Sequence, residues 1–144
     1  MKTTTSTAPK SVVYSFDGRW EKNILAGRVG VFFRKRRPIN QPKYVFFYIG
    51  VPIKSIIGYA SIVEIREVDL LQASKLQDLG SISDIELTKY IGHGRVHAIF
   101  IDKPVIFRAP KELLGLRNKS GFNPPQSFSF VDAELEAALI VDEK

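Results

Sequence analysis

Phe32 and Arg34 stand two positions apart, with Gly30 two positions before them. Side chains alternate along an extended chain, so Gly30, Phe32 and Arg34 share one face and Val29, Val31 and Phe33 take the other. An aromatic ring beside a guanidinium can stack a base and hold a phosphate or carboxylate. Arg34 also opens a run of four cations, Arg34-Lys35-Arg36-Arg37, with Arg28 and Lys43 close by in sequence. Alternation sends these four to two faces, so they cannot all reach one ligand. The competing reading of the same residues is a core-facing Phe32 and a solvated basic loop.

Other chemistry-bearing residues are fewer. His93 and His97 are four apart, a spacing that suits a metal on a helix, but Gly92 and Gly94 argue for a turn. With no third ligand in view, no metal site is expected, and neither histidine has an identifiable acid–base partner. Glu64, Glu67 and Asp69 make a local acidic group whose first reading is an exposed strand edge and a helix cap. Asn118, Asn123 and Gln126 can read base edges through paired amide hydrogen bonds, although the glycine and prolines beside them also suit chain reversal. Trp20, the only tryptophan, lies four residues before Ile24, where packing is the first reading and a stacking platform the second. There is no GxxxxGK[ST], no dinucleotide-binding fingerprint and no G-x-S-x-G elbow.

The elements that must position these groups follow from pattern. Ser11 to Phe16 reads as a first strand, and Asp17 as the cap of a helix reaching Ala26, with Gly27 at its left-handed end. Val29 to Arg37 reads as a strand, Pro38 and Pro42 bracket a connection, and Tyr44 to Ile49 suits a strand buried on both faces. Ser55 to Val68 is a long strand expected to bend at Gly58 and to alternate Val63 and Ile65 against Glu64 and Arg66. Helices are expected over Asp69–Leu79 and Ser83–Ile91, the second opened by a capping box between Ser83 and Glu86. Strands at Val96–Ile101 and Val105–Arg108 are followed by a short helix from Pro110 to Leu114. A polar loop over Arg117–Gln126 leads to a closing helix from about Asp132.

The chain has 144 residues, 44% of them hydrophobic and 25% charged, which suits one globular domain. It has no cysteine, which excludes disulfides, thiol nucleophiles and zinc–thiolate sites. No apolar h-region opens the chain and no run of 18 apolar residues occurs, so neither a secretory signal nor a membrane span is expected, and the location expected is cytoplasmic. The net charge of +6 is unevenly spread. Residues 1–50 hold ten Lys/Arg against two acids, whereas the rest of the chain is nearly balanced. Such an asymmetry suggests a phosphate-facing surface, with solubility as the alternative.

The segment Ile24-Leu25-Ala26-Gly27-Arg28-Val29-Gly30-Val31-Phe32-Phe33-Arg34 resembles the signature of the ASCH domain family, small β-barrels of the PUA-like superfamily. That signature runs Ile-Leu-small-Gly-x-Lys-x-x-Glu-x-Arg. The likeness continues through Tyr44 to Val51, Pro52, Ile57-Gly58-Tyr59-Ala60, Val63-Glu64 and Pro124-Pro125-Gln126-Ser127-Phe128, about residues 12–130. The resemblance implies an α+β fold, a mixed barrel of five or six strands with peripheral helices, over residues 11–144, behind a flexible tail at 1–10. Some members resemble amidohydrolases of acetylated cytidine that use a lysine and a threonine of this motif. Those positions are Val29 and Phe32 here, so no catalytic residue is carried over. What is expected is a module that binds RNA or a nucleotide-containing ligand, with a regulatory role in transcription or translation compatible with it. Gly27, Arg28, Phe32, Arg34, Lys35, Arg36, Arg37 and Lys43 are its candidate binding residues, and Trp20, Tyr48, Glu64 and Gln126 candidates for a cleft. No cofactor is expected, and a protein partner is compatible with the reading. The alternative is a hydrolase acting on a modified nucleoside, with Glu64 or Glu67 as the carboxylate.

Overall fold

The computed structural model describes residues 11–140, so the tail expected at 1–10 lies outside the described residues. Seven strands and six α-helices follow in the order β1 (Ser11–Phe16), α1 (Glu21–Leu25), β2 (Val31–Arg34), β3 (Tyr44–Ile49), β4 (Ser55–Val68), α2 (Leu70–Ser74), α3 (Gln77–Gly80), α4 (Asp84–Ile91), β5 (Val96–Ile101), β6 (Val105–Glu112), α5 (Leu113–Ser120), β7 (Phe128–Phe130) and α6 (Ala133–Ile140). A 3₁₀ turn, Gly18–Trp20, stands between β1 and α1. No helix among the described residues is long and apolar enough to cross a membrane.

The strands form one sheet in the order β2-β5-β4-β3-β1-β7, with β6 also paired to β4. Only β1 and β3 are parallel; the other pairs are antiparallel. The sheet curls until β2 faces β1, but no ladder joins them. Side chains bridge that seam instead. Arg34 Nη2 on β2 donates to the Ser15 carbonyl on β1 at 2.8 Å, and the Tyr14 hydroxyl donates to the Arg36 carbonyl at 3.0 Å. The barrel is therefore built from seven strands rather than five or six, and it stays open along one line.

Apolar residues fill both faces of this sheet. Inside the curl lie Val12, Tyr14, Phe16, Phe32, Val45, Phe47, Ile49, Ile57 and Ile99. Outside one half, Val13, Phe46, Tyr48 and Ile56 meet Leu116, Leu135 and Leu139 of α5 and α6. Outside the other, Val31, Phe33 and Ala98 meet Ala73, Leu87 and Ile91 of α2 and α4. Burying a side chain the size of Phe47 is worth about 1.5–3 kcal/mol, so this double-faced packing makes the strands rigid supports.

Several sequence expectations need correction. The strand expected over Val29–Arg37 shrinks to β2, because the Gly30 N–H donates to the Leu79 carbonyl and the Lys35 N–H to the Tyr90 hydroxyl, both outside any ladder. The helix expected from Asp17 is a 3₁₀ turn capped by Asp17, followed by the short α1. The helix expected over Asp69–Leu79 splits into α2 and α3. Pro110 lies within β6 rather than starting a helix; β6 pairs with β4 alone, and an unpaired edge tolerates a missing N–H. Residues 117–120, expected in a loop, complete α5. In β4 the register shifts between Ile62 and Glu64, so Val63 turns to solvent while Ile65 still packs inward. Gly58 is where β6 comes closest: a Cβ there would sit 2.4 Å from the Val105 carbonyl oxygen.

Candidate functional site

A cleft of about 1270 Å³ opens along the β1–β2 seam. Its floor is aromatic, and Arg34 lies on it. The guanidinium carbon is 4.4 Å from the Phe16 ring centre, 5.2 Å from that of Phe32 and 5.6 Å from that of Tyr14. Arg34 reaches this position because β2 directs Phe32 and Arg34 to one face. Its hydrogen bonds run to two carbonyls, Ser15 at 2.8 Å and Phe33 at 3.2 Å. A guanidinium carries five N–H donors, so most of its capacity stays open. No carboxylate of the described residues pairs with it; Asp17, also lining the cleft, acts on it only at longer range. Burial pulls the Arg34 pKa below its ordinary value, opposed by Tyr90, Tyr14 and Asp17. Burial likewise pushes the Tyr14 hydroxyl well above its ordinary range, against the pull of Arg34 and Arg37.

Two walls flank this floor. One is α4, whose Glu86, Lys89 and Tyr90 face the cleft while Leu87 and Ile91 are buried beneath. It is fastened at both ends of that face. The Tyr90 hydroxyl accepts from the Lys35 N–H at 3.1 Å with the Lys35 ammonium 5.1 Å over the ring, and Glu86 pairs with Arg19. The other wall is the segment Gln126–Phe128, held because Ser15 Oγ donates to the Pro125 carbonyl at 2.6 Å and the Ser15 N–H to the Ser127 carbonyl at 3.3 Å. Trp20 closes the end beside Arg19, edge-on to Phe16 at 6.5 Å. Lys35, Arg36 and Lys89 make the rim basic.

The structure thus gathers Trp20, Phe32, Arg34, Lys35, Arg36 and Gln126 around one cleft. It does not bring the other candidates there. Gly27 ends α1 at φ 71°, and the Arg28 carbonyl accepts from Ser81 Oγ. Arg37 folds back on the Pro38 carbonyl, and Lys43 lies over the Tyr44 ring. Tyr48 belongs to the outer face, 6.0 Å from Phe122, where burial raises its pKa and Arg117 lowers it. Glu64 is exposed and bonded to Arg66, which holds its pKa below the usual carboxylate value. Glu67 pairs with Arg95 on the same exposed strand end. The carboxylates lining the cleft are instead Asp17 and Glu86. Among the described residues no group of three His, Asp or Glu could hold a metal ion. Sequence reasoning missed Arg19, Lys89 and Tyr90; the one available signal was the Ser83–Ile91 pattern, which places positions 86, 89 and 90 on one contiguous side of the helix, away from Leu87 and beside Ile91.

No family model matches the sequence. Two proteins named large ribosomal subunit protein uL22, from strains of Ureaplasma parvum serovar 3, are 30% identical over 129 residues. The match takes 88% of this chain but 38% of theirs, so the chain spans well under half the length of these curated relatives. Among solved structures, the ASCH protein of Zymomonas mobilis superposes with a TM-score of 0.85 at 25% identity, covering 94% of this chain and 96% of that one. A serine-to-alanine variant of it gives 0.84 at 26%, covering 92% and 97%. The N-terminal domain of McrB from Staphylothermus marinus, at 12% identity and a TM-score of 0.66 over 94% of this chain and 95% of that one, shares the fold. Near-complete superposition on the Zymomonas protein, together with the resemblance carried by Ile24 to Arg34, supports an ASCH-domain assignment for this chain.

Proposed function

We propose that the cleft binds RNA or a nucleotide-containing ligand, with Arg34 holding a phosphate and Trp20 and Tyr90 offering rings to a base. The observation that carries this reading is Arg34 itself: a guanidinium on an aromatic floor, unpaired with any described carboxylate, most of its donors uncommitted. Planar donors of this kind match phosphate oxygens in pairs. Lys35, Arg36 and Lys89 on the rim add phosphate contacts, which set affinity and its salt dependence. The basic first third of the chain and the ribosomal name of the curated relatives point the same way. A regulatory role at the level of RNA and a cytoplasmic setting belong to the same proposal.

The test is fluorescence anisotropy with labelled single-stranded RNA, duplex RNA and duplex DNA across a salt series. Arg34→Lys keeps the charge and loses the fork; it is expected to weaken binding about ten-fold or more, in line with the roughly 1.5–3 kcal/mol of a charge-assisted bond. Lys119→Ala, on α5 away from the cleft, serves as the control. Equal binding by wild type and Arg34→Lys, or binding that vanishes for all three nucleic acids near physiological salt, contradicts the reading.

A further inference from the structure

An ion pair spans the mouth of the cleft, and its partners come from different walls. Arg19, in the 3₁₀ turn, donates through Nε to Glu86 Oε2 on α4 at 3.1 Å, and through Nη2 to the same oxygen. The two residues are 67 positions apart in sequence and both line the cleft. The Arg19 guanidinium also lies 4.0 Å over the ring of Trp20. Glu86 is the fixed partner. Its Oε1 accepts from the Ser83 N–H at 3.2 Å in the capping box that starts α4, and α4 is anchored below by Leu87 and Ile91. Arg19 has no comparable anchor: among the described residues Glu86 is the sole polar partner of its guanidinium.

Such a pair suits exchange. Arg19 is already aimed at an anion in the mouth, where both its bonds go to one carboxylate oxygen; a phosphate offers it two oxygens for a planar fork, with more negative charge. Glu86, for its part, places a negative charge where an anionic ligand enters between Arg34, Lys35, Arg36 and Lys89. We propose that Glu86 is a built-in competitor for the ligand's anionic group: it holds Arg19 across the mouth, and an oligonucleotide phosphate takes Arg19 over on binding. The proposal rests on the reading of the cleft as an RNA or nucleotide site. It also gives the site a preference. A ligand with a second phosphate placed at the mouth repays the exchange, whereas an uncharged nucleoside leaves the pair closed. Exposed guanidinium–carboxylate pairs are weak, so the competition amounts to about two- to five-fold in affinity.

Glu86→Gln tests this with α4 still capped, because the amide oxygen can accept from the Ser83 N–H while the charge is gone. The first readout needs no ligand. Trp20 is the only tryptophan, and acrylamide quenching of its fluorescence is expected to rise in Glu86→Gln as Arg19 leaves the ring. Unchanged quenching overturns the latch whatever the protein binds. The second readout is a single-stranded RNA oligonucleotide titration. Glu86→Gln is expected to bind about two- to five-fold tighter, with a salt slope steeper by about one unit, and Arg19→Ala added to it is expected to remove the gain. Wild-type binding with no gain in Glu86→Gln overturns the competition and leaves the cleft reading standing. No binding by either protein overturns the cleft reading, and the competition with it.

Discussion

Arg34 Nη2 donates to the carbonyl of Ser15 at 2.8 Å, across a seam that no backbone ladder closes. One side chain therefore ties β2 to β1 and lays an open guanidinium on the cleft floor. The fold and the proposed binding role meet at this contact, and substitutions of Arg34 separate them. Arg34→Ala leaves the part-buried Ser15 carbonyl without this donor and is expected to cost about 1–3 kcal/mol of stability, read as a lower urea midpoint, along with lost RNA binding. Arg34→Lys, which keeps a donor and a charge, is expected to keep more of that stability while still binding RNA about ten-fold more weakly.

Tyr14 gives the seam a pH dependence. Burial raises its pKa above the ordinary value of 10. The folded protein thus favours the neutral phenol, and this contribution is complete below pH 10. It is lost as pH rises above 10 toward the raised value in the fold, where unfolding offers an easier site of ionisation. In an absorbance titration at alkaline pH, Tyr14 is expected to ionise together with loss of structure. Tyr14→Phe removes the bond to the Arg36 carbonyl and is expected to cost about 0.5–1.5 kcal/mol.

The closeness of β6 to β4 makes Gly58 a sharp probe of the scaffold. A methyl group there meets the Val105 carbonyl at 2.4 Å and the Ile106 Cα at 3.1 Å, both backbone atoms. Gly58→Ala is expected to destabilise the fold by about 1–3 kcal/mol, by forcing β6 away from its partner. Thermal unfolding followed by circular dichroism checks it.

On the rim, Lys89 is expected to act through charge alone. Lys89→Ala should lower the salt slope of RNA binding by about one unit and leave the melting temperature unchanged, since the side chain is exposed beside the cleft.

What the sequence made legible follows how local each signal is. β1, β3 and β4 have the boundaries that their runs of branched and aromatic residues predict, and the Ser83–Glu86 capping box sits where it was read. These depend on neighbours in the chain. β7 is three residues long and exists only through pairing with β1, so nothing local announces it. The same division holds in the site. Alternation put Phe32 and Arg34 on one face, as observed. Tyr48, by contrast, lies on the outer face; β3 is buried on both sides, and its pattern carries no mark of which face opens toward the cleft. The α4 wall comes from contacts such as Lys35 with Tyr90, 55 positions apart, which no spacing rule reaches.

The most direct test of the central claim is to locate the ligand on the molecule. Nitrogen–proton NMR of the labelled protein, titrated with a short single-stranded RNA near physiological salt, gives one indole signal from Trp20 and an Nε signal from Arg34. The account predicts that these two shift together with the amides of Ser15, Lys35 and Tyr90, and that Tyr48 and its outer-face neighbours stay still. Shifts confined to the Tyr48 face, or none at the cleft while RNA binds, contradict it.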